Sequence, residues 1–156
     1  MSGLDTRDAM ARLALTLARR HLRSGTRSTA QLRAFLAARH LPASLTETLI
    51  ARCTQEGLLD DAACAMLWAR TLRERGYALT AIREQLMEKR LPAGAIERAL
   101  ASLRAEASDA LWAVELVRQQ RQRRGASAAA TPQRLARWLA AHGFDEDVIA
   151  DALSGS

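Results

Sequence analysis

Leu32, Leu36, Leu41 and Pro42 recur 50 residues further on as Ile82, Leu86, Leu91 and Pro92. A further step of 53 residues carries Ile82, Leu86 and Leu91 onto Leu135, Leu139 and Phe144, and Ile96 and Leu100 onto Ile149 and Leu153. Two apolar residues four apart, followed five residues later by a third, describe one face of a short helix and the residue that closes it. That pattern alone occurs in many helical proteins. Its recurrence in register with the helix that follows marks an internal repeat. Units of this size stack on their neighbours and form a nearly one-dimensional object.

The material of the repeat is helical. Ala, Leu and Arg supply 33, 24 and 22 of the 156 residues, whereas valine and isoleucine together number seven. The first three favour helices, and strands want the β-branched and aromatic residues that are scarce here. A hydrophobic fraction of 49% is too high for a disordered chain. The expected fold is all-α: an elongated tandem array of three three-helix repeats, about nine helices, with units at 1–57, 58–107 and 108–156. The array should be pliable, because contacts lined by alanine bury few methylenes at about 0.8 kcal/mol each.

Local signals place the helix ends. The first helix spans roughly Thr6 to Arg23, with Met10, Leu13, Leu17 and His21 as its apolar face and Gly25 beyond its end. Ser28 to Gln31 and Ser44 to Glu47 read as capping boxes for the second and third helices. Asp60 caps a fourth, whose apolar face is Cys64, Leu67, Trp68 and Thr71. The fifth runs from Thr80 to about Arg90, and the sixth follows Pro92, from Ala93 to Glu106. Ser108 caps a seventh that reaches Arg124. Gly125 to Ala130 reads as a flexible connection. Thr131 and Pro132 open the eighth helix, and Asp145 caps the ninth. Gly143, just before Phe144, sits where a helix end wants a left-handed residue. Its repeat equivalents are His40 and Arg90, so those two ends should be less tightly capped or more strained.

The chain carries a net charge of +6, unevenly spread. Between Ala9 and Thr46 there are seven arginines and no acid, and between Leu116 and Phe144 six arginines and no acid. The centre is balanced. Two basic ends suggest a long surface that meets anions. On the first helix Arg12, Arg19 and Arg23 share one side, and on the seventh Arg118, Arg121 and Arg124 share another. Arginine binds carboxylate or phosphate through two parallel hydrogen bonds. These six residues and Arg27 are therefore the candidate partner-binding residues at the ends. Arg70, Arg73 and Tyr77 are the candidates in the middle unit.

No catalytic, metal or cofactor constellation is expected. There is no metal-binding histidine pair on a helix, no glycine-rich phosphate loop and no nucleophile elbow. His21, His40 and His142 sit near helix ends, where the dipole favours them. Cys53 and Cys64 lie on apolar faces. Asp60 and Asp61 read as a cap and a first-turn acid rather than a metal pair. Trp68, Trp112 and Trp138 read as core anchors. No export signal or membrane span is expected, so the chain should act in the cytoplasm.

Several stretches resemble one family. Gly57-Leu-Leu-Asp-Asp61, Trp68, Arg70, Arg75-Gly76-Tyr77 and Ile82 to Leu86 are similar to the core signature of RecX proteins. Leu135 to Phe144, followed by Val148 and Ile149, resembles the family's C-terminal repeat, and Arg27 to Leu32 its opening motif. Cys64 stands where the family usually has an aromatic, and Ala78 and Arg90 where glycines are common. The resemblance implies tandem three-helix repeats and a regulator of the RecA recombinase, and the chain is expected to be a monomer. It implies binding to RecA and its filament on DNA, and inhibition of strand exchange, ATP hydrolysis and coprotease activity. Weak DNA binding is a further expectation. The competing reading is a direct DNA-binding protein of helix-turn-helix type. Against it, the chain has no asparagine.

Overall fold

The computed structural model describes residues 3–124 and 131–155. Among these residues there are nine α-helices and no strand. They are α1 (Gly3–Arg23), α2 (Thr29–Ala37), α3 (Ala43–Gln55), α4 (Asp61–Glu74), α5 (Leu79–Glu88), α6 (Ala93–Glu106), α7 (Asp109–Arg124), α8 (Pro132–Ala141) and α9 (Glu146–Ser154). The connection expected over Gly125 to Ala130 lies outside the described residues.

Helices pack in threes, α1–α3, α4–α6 and α7–α9. Each trio closes over its own core: Leu32, Leu36 and Cys53 in the first, Ile82, Leu86 and Leu100 in the second, Leu135, Leu139 and Ile149 in the third. The repeated leucines are thus the buried centres. The chain exposes 9726 Å², whereas a compact monomer of this mass exposes about 7,800 Å². The excess is what an elongated array of small cores produces.

Small residues set how closely the first helix of each unit approaches. Ala14, Ala65 and Ala113 are 1%, 0% and 0% exposed, and Ala18 and Ala69 are both 0%. This corrects the face assigned to α1. Met10 is 45% and Leu13 63% exposed, while Ala14, Leu15 and Ala18 face the core. The sequence positions equivalent to Leu13 are Cys64 and Trp112, each lining a cleft between its unit and the preceding one. The first unit has no neighbour there. Leu67 on α4 is also exposed, contrary to expectation.

Caps follow the sequence in part. Ser28 and Gln31 form the reciprocal box, and Asp60 accepts from the Ala63 N–H at 2.9 Å. Ser108 accepts from the Leu111 N–H at 3.3 Å. The box expected at Ser44 and Glu47 does not form. Pro42 occupies the cap, and Glu47 turns instead to Arg33 on α2. The three repeat-equivalent ends are left-handed, with φ 58° at His40, 55° at Arg90 and 86° at Gly143, so the Cβ strain falls on His40 and Arg90 alone.

The two junctions between units repeat one device. Asp61 and Asp109, each the first residue of its helix, reach back to the first N–H of the preceding unit's second helix. Asp61 accepts from Thr29 at 2.8 Å, and Asp109 accepts from Leu79 at 3.1 and 3.2 Å. Each satisfies a donor that a helix start leaves free. The caps of the second helices then meet end to end. Ser28 Oγ donates to the Lys89 carbonyl at 3.1 Å, and the Ala78 N–H donates to the His142 carbonyl at 2.9 Å.

Candidate partner-binding surface

The arginines of the basic ends separate into paired and unpaired groups once folded. Arg19 is not free. Its guanidinium donates from Nη2 to both Glu56 oxygens at 2.7 and 2.8 Å, with Nε at 3.2 Å, tying α1 to the end of α3. Hydrogen bonds from Arg19 and then Arg52 hold Glu56 below the usual carboxylate range. Arg118 is matched on its own helix by Glu115 at 2.8 Å. Glu115 is in turn held low, by Arg118 first and Gln119 second. The expectation that no acid lies near either cluster is therefore corrected: Glu115 sits one residue outside the acid-free stretch, and Glu56 arrives from another helix.

Arg12 and Arg23 are exposed on α1, and Arg27 is half-buried just before α2. Arg121 is half-buried on α7. None of these four forms an ion pair among the described residues. Arg124 ends α7, and its side chain lies outside the described residues.

The middle residues are joints. Arg70 pairs with Glu106 at 2.7 Å, bracing α4 on α6. Arg73 is 7% exposed and donates to Asp109 at 2.5 Å, to the Ala107 carbonyl at 2.9 Å and to the Tyr77 carbonyl at 3.3 Å. The Tyr77 ring lies 4.7 Å from that of His142 in the third unit.

Two clefts open at the junctions. One, of about 470 Å³, brings Arg23 and Arg27 beside Leu22, Leu58, Cys64 and Leu67. Leu58 and Leu67 are 39% and 53% exposed there. The other, of about 250 Å³, brings Arg70 and Arg73 beside Leu103 and Trp112. Apolar side chains flanked by arginine suit contact with another macromolecule. The sequence reading missed Leu58 and Leu67, because both sit in apolar patterns that usually mark a core.

The site offers little chemistry. Burial raises the thiols of Cys53 and Cys64, which keeps them protonated and unreactive. No cluster of three or more His, Cys, Asp or Glu side chains among the described residues could hold a metal. No described helix is long and apolar enough to cross a membrane.

The fold defines a class: a tandem array of three-helix repeats with clefts at its junctions. Comparison with known proteins narrows this. The family model for the RecX second three-helix domain matches residues 60–100. A regulatory protein RecX from Pseudomonas entomophila (strain L48) is 30% identical over 155 residues, covering 97% of this chain and 94% of that protein. The crystal structure of RecX from Lactobacillus salivarius superposes with a TM-score of 0.73 at 18% identity, covering 93% of this chain and 95% of the other. A second crystal structure, of regulatory protein RecX, gives 0.70 at 21% identity, covering 94% and 73%. The chain belongs to the RecX family of regulatory proteins, regulators rather than enzymes.

Proposed function

We propose that this chain binds the RecA recombinase and its filament on DNA and inhibits strand exchange, ATP hydrolysis and coprotease activity. It would thereby restrain recombination and the SOS response, acting as a monomer in the cytoplasm. The observation that carries the reading is full-length similarity to a regulatory protein RecX. The elongated array supports it, since a long surface can span neighbouring protomers of a filament. The two arginine-flanked clefts supply the contact chemistry. The test is ATP hydrolysis by RecA on single-stranded DNA. Substoichiometric amounts of this protein should lower it. Unchanged hydrolysis under excess protein, at low and moderate salt, would remove the proposal.

The basic ends have their own test. Replacing Arg118, Arg121 and Arg124 together with alanine should weaken inhibition while leaving helicity and thermal midpoint almost unchanged. If these residues contact phosphate, the salt slope of DNA binding should fall by up to about three phosphate equivalents. If they contact only RecA, DNA binding should survive while inhibition falls. Wild-type inhibition by this variant and by its Arg12, Arg19 and Arg23 counterpart would move the working surface to the middle unit.

A further inference from the structure

Against the flank of α2, where the first and second units meet, lies a pocket of about 360 Å³ whose lining includes His21, Arg27, Phe35, Glu88 and Arg90. It is distinct from the two clefts described above, although Arg27 also borders the larger of them. The junction itself positions its cations. The Ser28 hydroxyl bonds the Lys89 carbonyl, so Arg27 and Arg90, the neighbours of those two residues, are brought to one place. Arg90 arrives there on a left-handed backbone, at φ 55°.

Two observations show positive charge without a partner, and a third places another cation nearby. Arg27 is half-buried, and its Nε is fully buried with no hydrogen-bond acceptor. Such a donor, part of a charged group, is costly to leave unmet. Neither Arg27 nor Arg90 forms an ion pair with Glu88, the acid lining the pocket, or with any other described residue. The Phe35 ring is stacked by His21 at 3.8 Å and covered by Arg39 at 3.6 Å, and two groups this close to one centroid must take opposite faces. A third cation, Arg39, is thereby held across the Phe35 ring from the imidazole, where it also donates to the Phe35 carbonyl at 2.9 Å. Burial, then Arg27 and Arg39, push His21 below the ordinary histidine range.

We propose that this pocket is an oxyanion site that takes a phosphate group, held by Arg27 and Arg90 with His21 as a third donor. Guanidinium groups suit a tetrahedral oxyanion, each offering parallel N–H donors. The imidazole joins as a charged donor once an anion offsets the surrounding arginines. The phosphate can be free inorganic phosphate or the phosphodiester of a single nucleic-acid strand. The site is independent of the regulatory reading, because its readout involves no recombinase.

The experiment follows His21 by NMR, titrating its ring proton with pH at matched ionic strength. The buffers contain chloride alone, inorganic phosphate, or a single-stranded oligothymidylate. His40 and His142 serve as controls within the same molecule. Phosphate should raise the His21 midpoint by about one pH unit relative to chloride and leave both controls in place. A rise with phosphate alone identifies the free ion as the ligand, and a rise with the oligonucleotide identifies the strand. Arg27→Gln should abolish the rise. Arg90→Gly should diminish it too, and this variant relieves the left-handed backbone, so loss of folding cannot explain its effect. No rise with either ligand, or a full rise in both variants, would overturn the proposal.

Discussion

Replacing Arg73 with alanine should lower stability by about 3–5 kcal/mol, the range for breaking a buried ion pair by removing one partner. The Arg73 side chain is 8% and that of Asp109 25% exposed. Alanine would leave the Asp109 carboxylate at the junction with only the Leu79 N–H to answer it. It would also strip the Ala107 and Tyr77 carbonyls of their donor. The loss falls at one place, the seam between the second and third units. In a nearly one-dimensional array a weakened seam lets neighbouring units melt apart. Urea denaturation should therefore show a lower midpoint and a broadened or two-step transition. Arg73→Met with Asp109→Ala removes both charges, so its loss should be smaller than the sum of the two single changes. Wild-type stability for Arg73→Ala would mean that the seam is held by the apolar contacts alone.

How much of this was legible beforehand depends on where each signal lives. The repeat was legible because its leucines are spaced along the chain and point into separate local cores. The left-handed ends were legible because Gly143 fixes the backbone requirement at one copy, and the repeat transfers it to His40 and Arg90. The face of α1 was misread for a physical reason. The buried positions there are alanines, chosen for close approach, while Leu13 occupies a place that in later units lies against a preceding unit. Ion pairs between helices were largely hidden. Arg19 and Glu56 are 37 residues apart, and no periodicity joins them. One pair was readable and was missed: Arg33 with Glu47 recurs after 50 residues as Arg83 with Glu97. The third unit has Ala136 and Ala150 at those places, so both partners are absent together. Arg73 offered no signal that it would be buried, since its two shortest acceptors, Asp109 and the Ala107 carbonyl, lie 36 and 34 residues further along the chain.

The three repeat-equivalent left-handed helix ends, at His40, Arg90 and Gly143, should all prefer glycine. At each, the N–H of the residue after the left-handed one bonds back five residues: Leu41 to Leu36, Leu91 to Leu86 and Phe144 to Leu139, at 3.4, 3.4 and 3.2 Å. His40 and Arg90 carry a Cβ into a backbone region that costs roughly 1–2 kcal/mol. Both are exposed, so little packing is lost when their side chains go. Arg90→Gly and His40→Gly should therefore each stabilise the array by about 0.5–1 kcal/mol, the backbone relief being partly offset by the greater freedom glycine has when unfolded. Gly143 is the reverse. Its φ is 86°, and an added Cβ would stand 2.7 Å from the Cβ of Ala81, across the seam on α5. Ala81 cannot swing away, because its Cβ is fixed to the backbone. Gly143→Ala adds the left-handed cost to an overpacking cost of about 1–3 kcal/mol, for a loss of roughly 2–5 kcal/mol. Ala81→Gly in the same chain should recover much of that loss, since it removes the opposing methyl, whereas Ala81→Gly alone should only destabilise, as glycine inside a helix does. Thermal melts of the five variants check the signs. A Gly143→Ala protein as stable as the parent would show that the third unit can shift on the second without cost, and the seam would then be far softer than its hydrogen bonds imply.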